Sequence, residues 1–413
     1  MLVYISSMIM DKQKKLLVAV IILLIAFICL LGITSFNEST KDPSPDKRPY
    51  ETEIVNEQSH YAGVDFFSDR QDRQTYLVDS ESGEVQVTWD ADEARDGDTV
   101  RRFNYGLVWS GGDLIYTDYR GRIARITQSN KSTKSEMKWQ NNIGHHDVGV
   151  YDGNILAFSR ENIYSEKLDL LVQDDVIYQI NPKNGYKFGD SISMYEVLSS
   201  SNRVDIQKRF NENLLQGRSI DGGIREGGQY EAKNNSIKLF HANAITVLDD
   251  NYGEPFTKGR VLLSLRNIDL VVLLDVESEE VVWTSKGVDL DRQHHPTMTS
   301  DGNIMLYDNG WERRNATRVI QINQQKEIVW SYQAEPPESF YSQYMGSAQE
   351  LPNGNVLVAN SGNNSAFEVN KNKEIVWRMG TINHGGIFRY TRFSKDCIQS
   401  VISGEKQHSK LCQ

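Results

Sequence analysis

Cysteine is scarce in this chain, with three residues among 413. That number is too small for a disulfide-stapled mini-domain, and an apolar fraction of 39% is too high for a disordered chain. A glycine-rich phosphate loop with its lysine and a Gly-x-Ser-x-Gly element are also missing, so the familiar kinase, nucleotide-binding and hydrolase signatures are absent. Basic residues number 45 against 56 acidic ones, and this balance argues against a nucleic-acid partner.

Long apolar runs are missing too, with the exception of residues 16–33, which contain no charge. As a helix this segment would span roughly 27 Å, close to the hydrocarbon thickness of a bilayer, so it predicts a single transmembrane helix and excludes a polytopic membrane protein. Three lysines against one aspartate in residues 1–15 place that end in the cytoplasm and the rest of the chain outside. A cleaved signal peptide is the alternative, and it predicts export as well.

The exported part begins with a polar stretch, residues 34–59, whose prolines and charges predict a linker. Residues 1–33 carry three lysines and one aspartate, so the exported part has a net charge of −13, which predicts solubility only. Its two cysteines are Cys397 and Cys412. An oxidising exterior permits a disulfide between them, and two unrelated thiols are the alternative that the sequence leaves open.

An internal repeat dominates the exported part. Short strands that end in tryptophan recur, at Trp89, Trp139, Trp283, Trp330 and Trp377. The last two intervals between these tryptophans are both 47 residues. A weaker copy places Phe188 at the position of the tryptophan, 49 residues after Trp139. An aromatic residue at the same place in each unit predicts a side chain that fills the core between neighbouring units.

Each unit also has the same internal order of an alternating run, a tight Gly- or Asn-containing turn, a second run, and two more short strands. Four strands in forty-odd residues are typical of a propeller blade, and counting predicts an all-β, six-bladed propeller over residues 60–401. Residues 189–240 lack the turn and the aromatic mark, so we predict an insertion with helices there; a degenerate seventh blade is the alternative. Residues 386–400 are predicted to return to the first blade, and 402–413 form a tail.

The histidines share a phase within the repeat. His145 and His146 lie seven and six residues before the turn aspartate of their blade, and His294 and His295 have the same spacing in theirs. His241 opens the first strand of another blade. Because the first strand of a blade lines the central channel, these five imidazoles are predicted to converge at one mouth.

Converging imidazoles allow three interpretations. A metal site lacks the carboxylates that would complete the ligand shell, so no metal is predicted. A structural role, with each ring bonded to backbone, is possible. The third is a site for an anion or a transferring group, favoured by Arg313 and Arg314 just past the second strand of the same blade as His295. Asp308 could orient a neighbouring imidazole or arginine, or could serve only its Asp-Asn-Gly turn.

Together these segments resemble the aryl-sulfate sulfotransferase family. The residues that carry the resemblance are His145-His146-Asp147, His241-Ala242-Asn243, Gln293-His294-His295-Pro296, Asp308-Asn309-Gly310 with Arg313, and 346–355. The resemblance implies a six-bladed propeller that moves a sulfuryl group from an aryl sulfate to a phenol through a sulfated histidine, without a nucleotide donor or other cofactor. It also implies that His146 and His295 contact the sulfate and that Arg313 neutralises its oxygens. Further substrate contacts are expected from His145, His241, Asn243, His294, Asp308, Asn309 and Arg314.

One position departs from the family pattern. The resemblance places the sulfated histidine in the channel-lining strand after the arginine blade, where this chain has Tyr344 and no histidine between His295 and His384. A tyrosine nucleophile, with a pKa near 10, would need neighbouring cations. A non-catalytic propeller that binds an anion or a protein is therefore the alternative function. A quinone-dependent dehydrogenase is disfavoured because the glycine-rich signature around its tryptophans is missing.

Overall fold

The computed structural model describes residues 50–70, 73–91, 103–129, 133–215, 223–226, 229–232, 236–381 and 386–412. Six antiparallel sheets, each of which contains four strands in consecutive pairing, form the six predicted blades. The predicted transmembrane segment, residues 16–33, lies outside the described residues, as does most of the predicted linker. Within the described ranges, no helix is long and apolar enough to cross a membrane.

The blades are numbered in the order of the chain, and the strands of each blade are given from the channel outwards. Blades 1 to 3 consist of β28 (Ile387–Phe393), β2 (Val64–Asp69), β3 (Gln74–Asp79) and β4 (Val85–Asp90); β5 (Phe103–Trp109), β6 (Asp113–Asp118), β7 (Ile123–Ile126) and β8 (Met137–Asn141); and β9 (His145–Tyr151), β10 (Asn154–Ser165), β11 (Leu170–Ile180) and β12 (Lys187–Ser193). Blades 4 to 6 consist of β16 (Ala242–Val247), β17 (Val261–Leu265), β18 (Leu270–Asp275) and β19 (Glu280–Thr284); β20 (His294–Met298), β21 (Ile304–Asp308), β22 (Arg318–Ile322) and β23 (Ile328–Tyr332); and β24 (Ser347–Glu350), β25 (Val356–Asn360), β26 (Ser365–Val369) and β27 (Ile375–Thr381). The six first strands contact one another in ring order, from β28 through β5, β9, β16, β20 and β24 back to β28.

Both ends of the described chain close the ring. The predicted return of residues 386–400 to the first blade is confirmed, because β28 supplies the innermost strand of blade 1 and pairs with β2. The sequence did not predict the second closure. A strand within the expected linker, β1 (Tyr50–Ile54), pairs with β27 and adds a fifth strand to the outer edge of blade 6.

Six hydrophobic clusters occupy the interfaces between neighbouring blades. Four of the repeated tryptophans are buried there, and each indole N–H donates to a backbone carbonyl of the next blade over 2.8 to 3.0 Å, in the pairs Trp89–Gly112, Trp139–Pro182, Trp283–Gln324 and Trp377–Ser80. The predicted role of these tryptophans in the blade-to-blade core is confirmed. Phe188 is an exception to the pattern, because it is 40% exposed and does not fill such a core.

The insertion after blade 3 contains two helices, as predicted, and its described residues form no seventh blade. It begins later than predicted, because residues 189–193 belong to β12. The helices are α1 (Met194–Ser200) and α2 (Ile206–Leu215), followed by the hairpin of β13 (Gly223–Glu226) and β14 (Gln229–Ala232) and by β15 (Ile237–Lys238), which pairs with β11. Apolar residues of both helices pack into the core between blades 3 and 4. The α2 helix contacts the 3₁₀ turn Arg266–Ile268, and Arg209 donates to the carbonyl of Ile268 over 3.3 Å. The insertion therefore holds the segment that carries Arg266.

A short helix and a disulfide fix the C-terminal end. The α3 helix (Lys395–Ile402) begins after Ser394, whose hydroxyl accepts a hydrogen bond from the amide of Cys397. Cys397 and Cys412 are bonded, which decides between the two alternatives left open by the sequence. The predicted tail contains a 3₁₀ turn, Ser409–Cys412, that packs against β5 and α3. Two further 3₁₀ turns are Pro337–Ser339 and Ser361–Asn363.

Candidate functional site

The entrance of the channel is marked by a backbone conformation repeated at equivalent positions. His146, His241, His295 and Met345 have φ values of 59°, 50°, 46° and 64°, the left-handed region that non-glycine residues seldom adopt. Each of these residues lies within two residues of the start of the first strand of its blade. Strain of about 1–3 kcal/mol at such a residue persists only where surrounding structure enforces it. The histidines therefore share not only a sequence phase but a backbone geometry.

The same geometry revises the comparison of blade 6 with its neighbours. Met345, with the left-handed φ, matches His146, His241 and His295, whereas Tyr344 matches His294 in the preceding position. Tyr344 is 48% exposed. By this criterion the residue of blade 6 that corresponds to His146, His241 and His295 is Met345, with a thioether, and not Tyr344.

Three of the imidazoles form a connected chain with a carboxylate. His145 Nε2 lies 3.1 Å from Asp175 Oδ1, His145 Nδ1 lies 2.8 Å from His146 Nδ1, and His146 Nε2 lies 3.0 Å from His241 Nε2. Arg160, in the middle of the same blade's second strand, has a guanidinium nitrogen 3.5 Å from Nδ1 of both His145 and His146. The strand starts of blades 3 and 4 therefore meet through their side chains.

His294 is held separately by Asn309. Its Nδ1 lies 2.7 Å from Asn309 Oδ1 and 3.1 Å from the carbonyl of Arg292. The amide nitrogen of Asn309 donates to the carbonyls of Ser342 and Met345, each over 2.8 Å, so its oxygen is the acceptor that faces the imidazole. His294 Nδ1 must therefore carry the proton, and the lone pair of the ring is on Nε2.

His295 lies near a second group of charged side chains. Arg389 of β28 donates two hydrogen bonds to the carboxylate of Asp147, and its guanidinium lies 4.1 Å from the centre of the Tyr105 ring. The ammonium of Lys410, from the C-terminal turn, is 5.1 Å from the same ring. His295 is 4% exposed, and its Nδ1 has no hydrogen-bond partner among the described residues.

Burial and nearby cations keep these imidazoles neutral. Burial, reinforced by Arg160, lowers the pKa of His145 to about 4, and burial together with Arg266 lowers the pKa of His294 to about 3. The pKa values of His146 and His295 also lie well below the ordinary range, mainly through burial. At neutral pH these four rings are therefore uncharged, and the contact of His145 with Asp175 is a hydrogen bond rather than an ion pair.

Arg266 lies beside this cluster with two aromatic rings. Its side chain is buried, and its guanidinium carbon is 5.1 Å from the centre of the Trp311 ring and 5.6 Å from that of Tyr344. The two rings are 4.9 Å apart, at an interplanar angle of 58°. A cation that lowers the pKa of His294 is thus bordered by an aromatic pair.

Not every residue predicted for the site is joined to the imidazoles. Arg313 pairs with Asp289 and Asp291, and Arg314 pairs with Asp308, which also binds Arg318. Within the described part of the chain, no hydrogen bond or ion pair joins Arg313 or Arg314 to a histidine of the cluster. Their carboxylate partners already neutralise them.

Asp308 and Asn243 have roles in the framework of the site. Asp308 accepts a hydrogen bond from the amide of Asp291 over 2.8 Å, so it braces the segment before His294. Asn243 is fully buried, and its amide nitrogen donates to the carbonyl of Gln293 over 3.0 Å. Its Oδ1 has no hydrogen-bond partner among the described residues.

Sequence reasoning missed four charged residues of the site, Arg160, Asp175, Arg266 and Arg389. The sequence did contain a signal for two of them. Arg160 comes two residues after the second-strand partner of His145, and Arg266 comes one residue after the second-strand partner of Ala242. Asn309 has the same position in blade 5, past the partner of His294. The sequence analysis selected the residue at this position in blade 5, Asn309, but not the corresponding residues of blades 3 and 4.

Two further observations delimit the site. Among the described residues, no group of three or more His, Cys, Asp or Glu side chains is arranged to hold a metal ion. A cavity of about 830 Å³ lies near the opposite ends of the channel-lining strands, bordered by residues such as Asp301, Glu350 and Cys412. It includes none of the predicted site residues, so the channel entrance with the histidines remains the candidate site.

Comparison with known proteins identifies the family. Solved structures match with low similarity: a Bacteroides caccae protein of unknown function (11% identity, 80% of this chain and 98% of that chain, TM-score 0.48), virginiamycin B lyase from Staphylococcus aureus (9%, 84% and 92%, 0.42) and AztD from Citrobacter koseri (10%, 81% and 99%, 0.38). Such matches bear on neither the reaction nor the site. No curated protein matches the chain. The model of the arylsulfotransferase (ASST) family, however, matches residues 71–383. The chain therefore belongs to the arylsulfotransferase family.

Proposed function

We propose that the protein transfers a sulfuryl group from an aryl sulfate to a phenol at the cluster of imidazoles in the channel entrance. The observation that carries the proposal is the arrangement around His294. Asn309 fixes the proton of that ring on Nδ1, so Nε2 presents a lone pair next to the Arg266 guanidinium. Membership in the arylsulfotransferase family supports the same reaction class.

The reaction runs in two half-reactions. In the first, His294 Nε2 attacks the sulfur of the aryl sulfate, an N–S bond forms, and the phenolate leaves with the electrons of the O–S bond. In the second, the acceptor phenol loses its proton, its oxygen bonds to sulfur, and the N–S electron pair returns to His294. No nucleotide, metal or other cofactor enters this sequence of steps.

Electrostatics and burial favour this use of His294. A protonated imidazole has no lone pair to attack with, and the low pKa of His294, about 3, keeps the ring in its reactive form. Arg266 supplies a fixed positive charge for the equatorial oxygens of the transferring group, where a bidentate guanidinium suits their geometry. Trp311 and Tyr344 offer aromatic surface for the aryl ring. His146 and His295, assigned to sulfate contact from the sequence, lie in the same cluster.

Localisation is part of the proposal. The uncharged segment 16–33, preceded by lysines, supports a membrane anchor with the propeller on the extracytoplasmic side. The disulfide between Cys397 and Cys412 supports an oxidising compartment, because such bonds persist outside the cytosol. The expected partners are thus the membrane and two small aromatic molecules.

A binding protein for an anionic aromatic molecule is the second candidate. Met345 favours it, because a thioether stands in blade 6 at the position that three other blades fill with histidine. Such a protein would use Arg266 and the imidazoles to hold sulfate without breaking a bond.

One assay distinguishes the two candidates. The purified full-length chain is incubated with a chromogenic aryl sulfate, with and without a phenol, and chromophore release is followed. Release that depends on the phenol and is lost in His294→Asn supports transfer; His408→Gln is the matched control, because that ring stacks on Trp109 near the C-terminal turn. Mass spectrometry after donor addition alone should find one SO₃ group on His294. Absence of release with every acceptor would overturn the enzyme proposal.

A further inference from the structure

The hydrogen-bonded chain from Asp175 through His145 and His146 to His241 has a direction. His145 Nε2 faces two acceptors, Asp175 Oδ1 at 3.1 Å and the carbonyl of Ser159 at 3.3 Å. Because a neutral imidazole has one N–H, that proton is on Nε2, and His145 Nδ1 is an acceptor. The direction of every following bond in the chain depends on this first assignment.

The remaining tautomers follow one after another. His145 Nδ1 accepts, so the 2.8 Å contact requires His146 to carry its proton on Nδ1. His146 Nε2 then holds a lone pair, and the 3.0 Å contact requires His241 to donate from Nε2. The lone pair of His241 is therefore on Nδ1. One carboxylate thus determines which nitrogen is protonated in three rings.

Asp175 is built into the fold to perform this role. It is fully buried, and its second oxygen, Oδ2, accepts a hydrogen bond from the amide of Ala242 over 2.8 Å. Ala242 directly follows His241, so the same carboxylate holds both ends of the chain. Burial alone would raise the pKa of Asp175, but the hydrogen bond from His145 and the charge of Arg160 hold that pKa below its ordinary value.

We propose that Asp175 is a positioning residue which fixes the tautomers of His145, His146 and His241, and that His241, the last ring of this chain, takes the proton of the phenol acceptor. The second statement rests on the proposed function; the first does not. The phenol proton binds to His241 Nδ1 as the phenol oxygen bonds to sulfur, and the resulting imidazolium keeps its Nε2–H bond to His146, while the ionised Asp175 at the other end of the chain stabilises the added charge. The next leaving phenolate takes that proton back, which returns His241 to its neutral form.

Replacement of Asp175 by asparagine tests the direction of the chain. The amide oxygen of the introduced asparagine would keep the bond from Ala242, while its NH₂ group would donate to His145 Nε2 and reverse the tautomer of all three rings. Nitrogen NMR of ¹⁵N-histidine-labelled full-length protein reads the protonated nitrogen directly. Asp174→Asn is the matched control, because that neighbouring carboxylate accepts from Ser193 and from the amide of Tyr195 instead.

The expected result is reversal in Asp175→Asn only, with a fall in kcat for phenol-dependent transfer of roughly 10²–10⁴-fold and a smaller change in KM. Unchanged tautomers in Asp175→Asn would overturn the positioning role whatever the activity. Reversed tautomers with an unchanged kcat would overturn the proton transfer. If the wild-type chain transfers no sulfuryl group, the proposed function fails while the NMR result still decides the positioning role.

A second variant covers the possibility that Asp175→Asn does not fold. His145→Phe keeps an aromatic ring against Phe158, on which His145 stacks at 5.3 Å, but removes both nitrogens from the chain. His146 Nδ1 then loses its acceptor and faces only the donors of Arg160, 3.5 Å away, so we expect the tautomer protonated on Nε2 to appear. A single, wild-type tautomer of His146 in this variant would contradict the proposal.

Discussion

Arg389 and Asp147 join parts of the ring that are 242 residues apart in sequence, through two parallel hydrogen bonds of 2.9 Å. Arg389 lies in the closing strand of blade 1 and Asp147 in the first strand of blade 3, with Tyr105 of blade 2 beneath the guanidinium. Asp147 also accepts from the amides of Val148 and Ile245, so one carboxylate connects three elements. Both side chains are almost fully buried.

Arg389→Met should destabilise the propeller because it leaves the Asp147 carboxylate buried without its cation. We expect a loss of about 3–5 kcal/mol in the free energy of unfolding, measured by denaturant titration. The control is Lys395→Met, which breaks the exposed pairs with Asp79 and Glu81 and should cost less than about 1 kcal/mol. Equal losses in the two variants would contradict this account of the buried pair.

Arg266→Gln should lower kcat/KM for an aryl sulfate by roughly 10²–10³-fold, because a preorganised charge beside the transferring group is removed. Arg313→Gln should leave kcat/KM nearly unchanged, since Asp289 and Asp291 already neutralise that guanidinium. Steady-state kinetics of the purified chain measures both. The opposite order of effects would restore the role predicted for Arg313 from the sequence.

Tyr344→Phe should retain transfer, because the ring and not the hydroxyl contributes to the aromatic pair. Trp311→Ala should raise KM for the aryl sulfate by roughly three- to tenfold through lost aromatic contact. Loss of both activity and the SO₃ adduct in Tyr344→Phe would instead identify the tyrosine as the nucleophile. A gain of activity in Tyr344→His would support the original placement of the missing histidine at this position.

Acid should destabilise the protein through its buried histidines. His145, His294 and His408 have folded-state pKa values of about 4, 3 and 4, below the ordinary 6.5, so below pH 6.5 the unfolded chain binds more protons. Stability is therefore full above pH 6.5 and falls as the pH decreases towards 4. His408→Gln should make this decline less steep in denaturant titrations at several pH values, and an unchanged slope would exclude His408 as a contributor.

The buried carboxyl of Asp174 should oppose part of that trend. Burial raises its pKa to about 7, so in the folded state it stays protonated where the unfolded chain is ionised, and its contribution declines as the pH rises from about 4 to 7. The acid-side decline measured for Asp174→Asn should therefore be steeper than that of the wild type.

The fold was predictable because its signals are local and repeated. Trp283, Trp330 and Trp377 at equal intervals define successive blades, and glycine turns separate the strands of each. The role predicted for Phe188 was wrong, since this residue shares the sequence position of a tryptophan but is partly exposed to solvent. β1 was missed because a polar strand paired on only one side does not differ in composition from a linker.

The site was predictable in part. The phase of the histidines relative to their turns indicated convergence, because phase along one strand translates directly into height in the channel. Arg389 could not be found in this way, since its partner Asp147 belongs to another blade and the contact exists only once the ring is closed. Asp175 could not be predicted for a similar reason. It lies in the third strand of its blade, and the two groups that it binds, His145 and the amide of Ala242, are both distant from it in sequence.

The position of β28 also sets an order of events during biosynthesis. Among the described strands it comes last in the chain, yet it is the innermost strand of the first blade and carries Arg389. Blades 2 to 6 have all their strands before β28 emerges, but blade 1 has none facing the channel, and Asp147 still lacks its guanidinium partner. A chain that lacked β28 would therefore lack both the closure of the ring and the cation that balances Asp147 at the channel entrance.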